Sequence, residues 1–453
     1  MSQPPVQAIL LSDIHFEPFW DPAKVAQLAA APGDKWLAIL DQPASPDRQL
    51  KFDALQRSCH ARGEDASYPL FRSSLNAMKP ELAKARFVTL SGDLLSHGFD
   101  CKFKALLSSA APKDFTAFAE KTIRFVLDQV RNTAGDVPVY AALGNNDSDC
   151  GDYRIDAHSA FLVEVGKAVT QDFPQNERGD ALTSFSAHGS YSIALPAPLD
   201  NTRLIVLDDL FSSARHTSCS GKPGTSGEAE QLAWFAKQID AARTAKQRVW
   251  VMGHIPPGVD AFATLSHVSG VCAQAPRMLL SSDKLPDALT DAADVIALGI
   301  FGHTHEDEIK LLEKPSAGAK DAAPGAEIPI KIVPSISPVN GNLPSFTVVQ
   351  IDPATSTLVD YKLYAGSDKV AWTPRYDYTD AYGEPSFSAA SVRDLVTKLA
   401  ADPVSRGKKS KNYIHNFSTG NPIPLLSLVW SPYVCTMSAQ TADEFTQCAC
   451  RHK

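Results

Sequence analysis

Short apolar runs, each breaking at a glycine, aspartate or histidine, set the rhythm of the first two-thirds of this chain. Residues 8–11, 87–90, 137–143, 249–252 and 295–301 are rich in Val, Ile, Leu and Phe and carry almost no polar side chains. Runs of that length, apolar on both faces, predict strands covered on both sides by helices. Further runs over 328–333, 346–351 and 358–364 predict more strands. Helical spacing predicts helices over 229–242, 388–401 and 439–450, the first opened by Thr225-Ser226-Gly227-Glu228 with the spacing of a capping box. Small residues with glycine and proline over 316–326 predict a loop. Strands alternating with helices predict an α/β fold. Beyond Gly366 the pattern becomes helical between prolines, so the expected division is a main α/β domain over 1–366 and a C-terminal helical lobe over 367–453.

The residues that end the first five runs are chemically of one kind: Asp13-Ile14-His15, Gly92-Asp93, Gly144-Asn145-Asn146-Asp147, Gly253-His254 and Gly302-His303-Thr304-His305. Residues at the carboxyl ends of neighbouring strands meet in one crevice, where α/β sheets bind ligands. Imidazole nitrogen mixed with carboxylate oxygen suits divalent zinc, manganese or iron, whereas oxygen alone would favour magnesium or calcium. A lone D-x-H arises by chance in many proteins, and His254 alone could be a core histidine with a satisfied hydrogen bond. The ordered set of motifs, each after a strand, is what points to a metal site.

That order resembles the calcineurin-like metallophosphoesterase superfamily, whose pattern runs D-x-H, G-D, G-N-H-[DE], H, G-H-x-H, over residues from about Ala8 to Asp352. The resemblance implies an α+β sandwich: two central mixed β-sheets flanked by helices, with the C-terminal helical lobe packed on them. It also implies two divalent metal ions, zinc first, with manganese or iron as alternatives. Asp13, His15, Asp93 and His305 would bind one ion, and Asp93, Asn145, His254 and His303 the other, Asp93 serving as the bridge. Gly92-Asp93-Leu94-Leu95-Ser96-His97, Gly253-His254-Ile255-Pro256-Pro257-Gly258 and the segment through Pro334, Pro338 and Pro344 resemble acid sphingomyelinase-like phosphodiesterases. There the added histidine, here His97, faces the substrate phosphate. Ser96 stands where purple acid phosphatases place the tyrosine that binds ferric iron, so a redox-active iron site is not expected. His97, Asn146 and Asp147 are the expected catalytic residues. Asn146 replaces the family's histidine, a G-N-N-D version that endopolyphosphatases share, and an amide cannot deliver a proton near neutral pH. His97 is therefore the candidate acid, with phosphate binding as its other possible role.

Composition narrows the partners. With 453 residues and 44 % hydrophobic content the chain can bury a full core and a second lobe, and a net charge of −8 argues against a nucleic-acid scaffold. The basic cluster from Arg406 to Lys411 is expected to be a solvated loop or helix start. The expected substrate is a small phosphodiester or nucleotide. Mammalian acid sphingomyelinase carries a saposin-type segment before its catalytic domain with no counterpart here, so bilayer lipid is the lesser alternative, with peripheral lipid contact still open. A monomer is expected. No apolar run reaches the length of a membrane span, and residues 1–7 lack the features of a signal peptide. Eight cysteines without paired zinc-ribbon spacing suggest disulfides and an oxidising compartment. The expectation is a secreted or periplasmic mature form after leader removal, with the cytoplasm as alternative. The resemblance suggests Cys219 with Cys272 as the first pair.

Overall fold

A computed structural model describes residues 3–222, 226–266, 271–314, 327–420 and 424–450. Twelve strands are formed among them: β1 Val6–Leu11, β2 Ala85–Ser91, β3 Val139–Ala142, β4 Tyr191–Ala194, β5 Thr202–Val206, β6 Arg248–Met252, β7 Ile296–Phe301, β8 Glu308–Glu313, β9 Glu327–Ile332, β10 Ser345–Asp352, β11 Thr357–Ala365 and β12 Thr373–Asp377. They build two six-stranded sheets, ordered β12-β11-β10-β1-β2-β3 and β4-β5-β6-β7-β9-β8. Both are mixed. In the first, β1, β2 and β3 run parallel while β10 and β11 pair antiparallel. In the second, β5, β6, β7 and β9 run parallel, with β4 and β8 antiparallel at the edges. The expected architecture of two mixed sheets flanked by helices is the one formed.

The sheets face each other across an apolar core. Phe87 of β2 meets the Trp250 ring edge-on at 5.8 Å, and the Trp250 indole N–H donates to the Ser356 carbonyl at 2.8 Å. The Tyr191 hydroxyl of β4 donates to the Ala141 carbonyl of β3 at 3.1 Å, so the polar tips of these large rings are satisfied as the sheets close. Helices Tyr68–Leu82 and Pro112–Ala134 cover the first sheet, and helix Ser226–Ala245 covers β5 and β6 of the second. Thr225, the predicted capping residue of that last helix, and the predicted loop over 316–326 lie outside the described residues.

Beyond β12 the chain forms helices Ala389–Ala400, Lys408–Phe417, Trp430–Thr436 and Ala442–Ala449, together with shorter turns. The basic cluster lies at the start of helix Lys408–Phe417. These elements dock on the strand that follows the last histidine motif. The Asp307 N–H donates to the Phe417 carbonyl at 2.8 Å, the Leu311 N–H to the Met437 carbonyl at 2.8 Å, and the Tyr433 hydroxyl to Glu308 at 2.7 Å. Lys331 pairs with Asp307, which also accepts from the Tyr376 hydroxyl. Buried charges are tolerable in such a place only when paired and hydrogen-bonded.

All eight cysteines are paired: Cys59 with Cys101, Cys150 with Cys219, Cys272 with Cys450 and Cys435 with Cys448. The expected Cys219–Cys272 pair is therefore corrected. The loop carrying Cys219 pairs instead with the segment after β3, where Thr217 N donates to the Tyr153 carbonyl at 3.0 Å and Arg154 bridges Thr217. Cys272 is drawn to the C-terminal helix, within 3.7 Å of the Ala449 carbonyl.

Candidate metal centre

Register explains how the motifs meet. Leu11 pairs with Leu90 and Leu90 with Ala141, so Asp13, Asp93 and Asn145 leave three parallel strands at one edge. Met252 pairs with Ile300 in the other sheet, which brings His254 and His303 out at the facing edge. The backbone then turns sharply: Asp13, His15, Asp93, His303 and His305 all have positive φ, between 45° and 74°. Left-handed conformations are costly for residues with a Cβ and persist where surrounding structure over-determines them, characteristically at functional sites. Gly144 is needed for a different reason, since a Cβ there would fall on the Asp93 carboxylate.

The donor atoms form two groups around one oxygen. His15 Nε2 lies 3.1 Å from His305 Nε2, 3.6 Å from Asp13 Oδ1 and 3.4 Å from Asp93 Oδ2. His305 Nε2 is 3.4 Å from Asp13 Oδ1. On the other side, His254 Nε2 is 3.2 Å from the same Asp93 Oδ2 and 3.2 Å from Asn145 Oδ1. Asp93, His254 and His303 also present one donor atom each within 4.8 Å of one another. Metal–donor bonds of about 2.0–2.1 Å put tetrahedral ligands about 3.3–3.4 Å apart, the spacing found here.

Orientation fits as well as distance. His15 Nδ1 donates to the Leu95 carbonyl at 2.8 Å and His254 Nδ1 to the Ser91 carbonyl at 2.7 Å, which leaves each Nε2 facing the cluster. Asn145 donates its amide to Asp152 Oδ1 at 2.7 Å, turning its own oxygen toward His254. Asp13 Oδ1 is buried with no hydrogen-bond partner, an arrangement that costs free energy unless a cation faces it. Burial works against charge on the imidazoles, yet Asp93 and Asp13 hold His15 up to about 9 and His254 up to about 10. The same field attracts divalent cations. His303 and His305 go the other way, held down to about 3 by burial and, respectively, by His254 and His15.

The expected catalytic residues separate. His97 stacks on His15 with ring centroids 4.0 Å apart and stays part-exposed at the cleft. Its Nδ1 donates to Asp65 Oδ1 at 3.0 Å and its backbone N–H to Asp65 Oδ2 at 2.8 Å. Asn146 donates through its side chain to Asp93 Oδ2 at 2.9 Å and through its backbone to Oδ1 at 2.8 Å, so it holds the central carboxylate. Asp147 is held by backbone donors. Fully buried, it accepts from the N–H groups of Leu94, Leu95 and Gly144 and ties the loop after β2 to the loop after β3.

Other residues of the site have no motif to announce them. Asp65 comes from the long insertion between His15 and Asp93, which returns through the Phe16–Ala66 bridge; it accepts from the Ser337 hydroxyl at 2.8 Å and lies 4.0 Å from Lys102. That insertion supplies a partner for His97, and its Trp36 packs against Phe118 and Phe125. Asp209 accepts the N–H groups of His254 at 2.8 Å and Ile255 at 3.0 Å. Tyr153 reaches His303 Nε2 at 3.3 Å. An acid immediately after a short apolar run, as Asp209 nearly follows 204–207, was the one available signal.

Comparison with known proteins agrees with this geometry. Acid sphingomyelinase-like phosphodiesterase 3b of Homo sapiens is 27 % identical, across 92 % of this chain and 90 % of its own. Sphingomyelinase phosphodiesterase D of Dictyostelium discoideum is 26 % identical, across 68 % and 65 %. Cyclic GMP-AMP phosphodiesterase SMPDL3A of Rattus norvegicus is 23 % identical, across 86 % and 82 %. The calcineurin-like phosphoesterase family model matches residues 7–307, a span that opens before Asp13 and closes after His305. With the fold, the paired Asp and His clusters and this match in agreement, the chain belongs to the calcineurin-like phosphoesterase family, whose members are metal-dependent phosphoric ester hydrolases.

Proposed function

We propose that this protein is a dinuclear phosphodiesterase of the acid sphingomyelinase-like type, cleaving phosphodiester or phosphoanhydride bonds of soluble substrates such as nucleotides. The observation that carries the reading is Asp93 Oδ2, a single oxygen within 3.4 Å of His15 and 3.2 Å of His254. In this reading Asp13, His15, Asp93 and His305 hold one ion and Asp93, Asn145, His254 and His303 the other. Zinc is the expected ion, with manganese or iron as alternatives. Bound there, two divalent cations supply a water acidic enough to attack phosphorus near neutral pH and positive charge for the phosphoryl oxygens.

The chain supplies position and protons. Asp93 is kept in place by two donors from Asn146, so that residue shapes the site in its own right and is not a faulty acid. His97, with Nδ1 committed to Asp65, has Nε2 left for a phosphoryl or leaving oxygen. The Gly144-Asn145-Asn146-Asp147 sequence keeps an endopolyphosphatase reading open, and the names of two relatives keep a choline-lipid substrate open. Four disulfides favour a secreted or periplasmic protein, and no described helix is long and apolar enough to cross a membrane. Residues 367–453 are read as a lobe that buttresses the strand after His305.

The test is turnover of bis(nitrophenyl) phosphate by protein reconstituted with zinc or manganese, alongside elemental analysis. The expected result is two metals per chain and loss of turnover by a factor of 10² or more for Asp93→Asn, about the size of a lost charge-stabilising group. A stoichiometry of one or less, or turnover indifferent to Asp93, would overturn the reading.

A further inference from the structure

At the rim of the cleft an exposed guanidinium stands beside the metal-site residues without serving them. Arg215 lies over the Tyr153 ring, 3.9 Å from its centroid, and Tyr153 reaches His303 Nε2 at 3.3 Å. One phenol ring therefore separates the cation from the histidine cluster. The Arg215 side chain is 65 % exposed, and its nearest described carboxylate oxygen, Asp152 Oδ2, is 3.8 Å away, beyond hydrogen-bond reach, while Oδ1 of the same acid accepts the Asn145 amide at 2.7 Å. The hydrogen-bonding capacity of the guanidinium is thus largely unspent, since a planar fork of five N–H groups is built for bidentate phosphate.

Its position is fixed by the fold. The loop that bears Arg215 is joined to the loop of Asn145 and Tyr153 by the Cys150–Cys219 disulfide. Backbone pairing between Thr217 and Tyr153 at 3.0 Å and the contact of His216 Nε2 with the Ile155 carbonyl at 3.1 Å lock the same two segments together. A loop held this way has little backbone freedom left to lose on binding, which favours the contribution of its charge to affinity.

We propose that Arg215, backed by Tyr153, is a subsite for a second phosphoryl group, one joined to the phosphorus under attack. The inference rests on the phosphohydrolase reading and refines it: diphosphates, nucleoside polyphosphates and other phosphoanhydrides are favoured over diesters whose second substituent is neutral or cationic. A cationic headgroup placed beside Arg215 would be repelled, and a neutral one would leave the guanidinium unused.

Two variants test it, Arg215→Met, which keeps an apolar stem on Tyr153, and Arg215→Lys, which keeps the charge without the fork. The quantity read is the ratio of kcat/KM for a nucleoside diphosphate to that for bis(nitrophenyl) phosphate, with metal content checked. A drop in that ratio of about tenfold to a hundredfold is expected for Arg215→Met, the size of a charge-assisted hydrogen bond, with Arg215→Lys in between. Calorimetric binding of methylene diphosphonate, which is not hydrolysed, should weaken in parallel, while binding of orthophosphate changes less. An unchanged ratio with unchanged diphosphonate binding overturns the subsite and leaves the phosphohydrolase intact. Absence of turnover on both substrates in the unmodified protein instead overturns the phosphohydrolase reading itself.

Discussion

Asp209 shows at the scale of one residue how the centre is held. Its carboxylate gathers the N–H groups of His254 and Ile255, and the Cβ of any residue replacing Gly253 would collide with it. Asp209→Asn would keep the shape but turn an amide N–H toward one of those backbone donors. Outer partners of a metal ligand are typically worth 10–100-fold in metal affinity, so zinc retention against a competing chelator should fall by about that factor with the fold intact by circular dichroism. Retention equal to the unmodified protein would show that His254 needs no such support. The Asp, Asn and His side chains that gather at the centre were legible in the sequence because each follows a strand in a short, chemically distinctive motif. Asp65, Asp152, Asp209 and Tyr153 were not, since a lone acid or phenol in a loop carries no pattern until the chain brings it beside a histidine. Asp147 is the opposite case: it sits inside a motif, while the three backbone N–H groups that meet its buried carboxylate follow no sequence pattern.

Among elements, the strands that carry site residues were the readable ones, because a strand buried on both faces is a continuous apolar run. β4, β5, β8 and β12 went unread. β8 hides its character under Glu308 and Lys310, which are buried with partners: the Tyr433 hydroxyl donates to the first, and the carbonyls of Pro257 and Val259 accept the Lys310 ammonium at 3.3 and 3.4 Å. Helix Pro112–Ala134 shows a cost of the same kind. Glu120 on that helix is half-buried, and burial, then Glu164 and Asp149, raise its carboxyl from 4.5 to about 7. A folded pKa above the unfolded one means that protonation favours the fold, so this contribution is present below about pH 4.5 and is lost as pH rises toward 7. Glu120→Gln, which cannot ionise, should therefore raise Tm relative to the unmodified protein at pH 8 and lose most of that advantage at pH 4.5. Salt should shrink the gain, since part of the repulsion crosses solvent. A Tm difference that stays flat across this range would show that the carboxylate is relieved by Arg124 and Lys167 as the helix breathes.

For the whole molecule, the decisive link runs from the last helix back to the strand of His254. Cys272 lies between β6 and β7, and Cys450 closes helix Ala442–Ala449, so their disulfide closes a separation of 178 residues, against 13 for Cys435–Cys448. In the chain-entropy account, closing a loop of ~15 residues stabilises by about 3 kcal/mol and one of ~100 by about 4.7 kcal/mol, with native strain able to reduce either. Removing the long bridge as Cys272→Ser with Cys450→Ser should thus cost more than removing the short one, by roughly 2 kcal/mol on that logarithmic scale. The consequence reaches the site because the same C-terminal helices hold β8, and the Gly258 turn beyond His254 lies against the Ala439 carbonyl. Loss of the long bridge should therefore loosen zinc along with lowering Tm, while loss of the short bridge should lower Tm with zinc retained. Thermal melts with metal release followed in the same sample distinguish the two. Equal effects of both pairs, on stability and on metal, would mean that the C-terminal helices stay docked through their own core of Trp430, Tyr433 and Tyr413 without help from the bridge to Cys272.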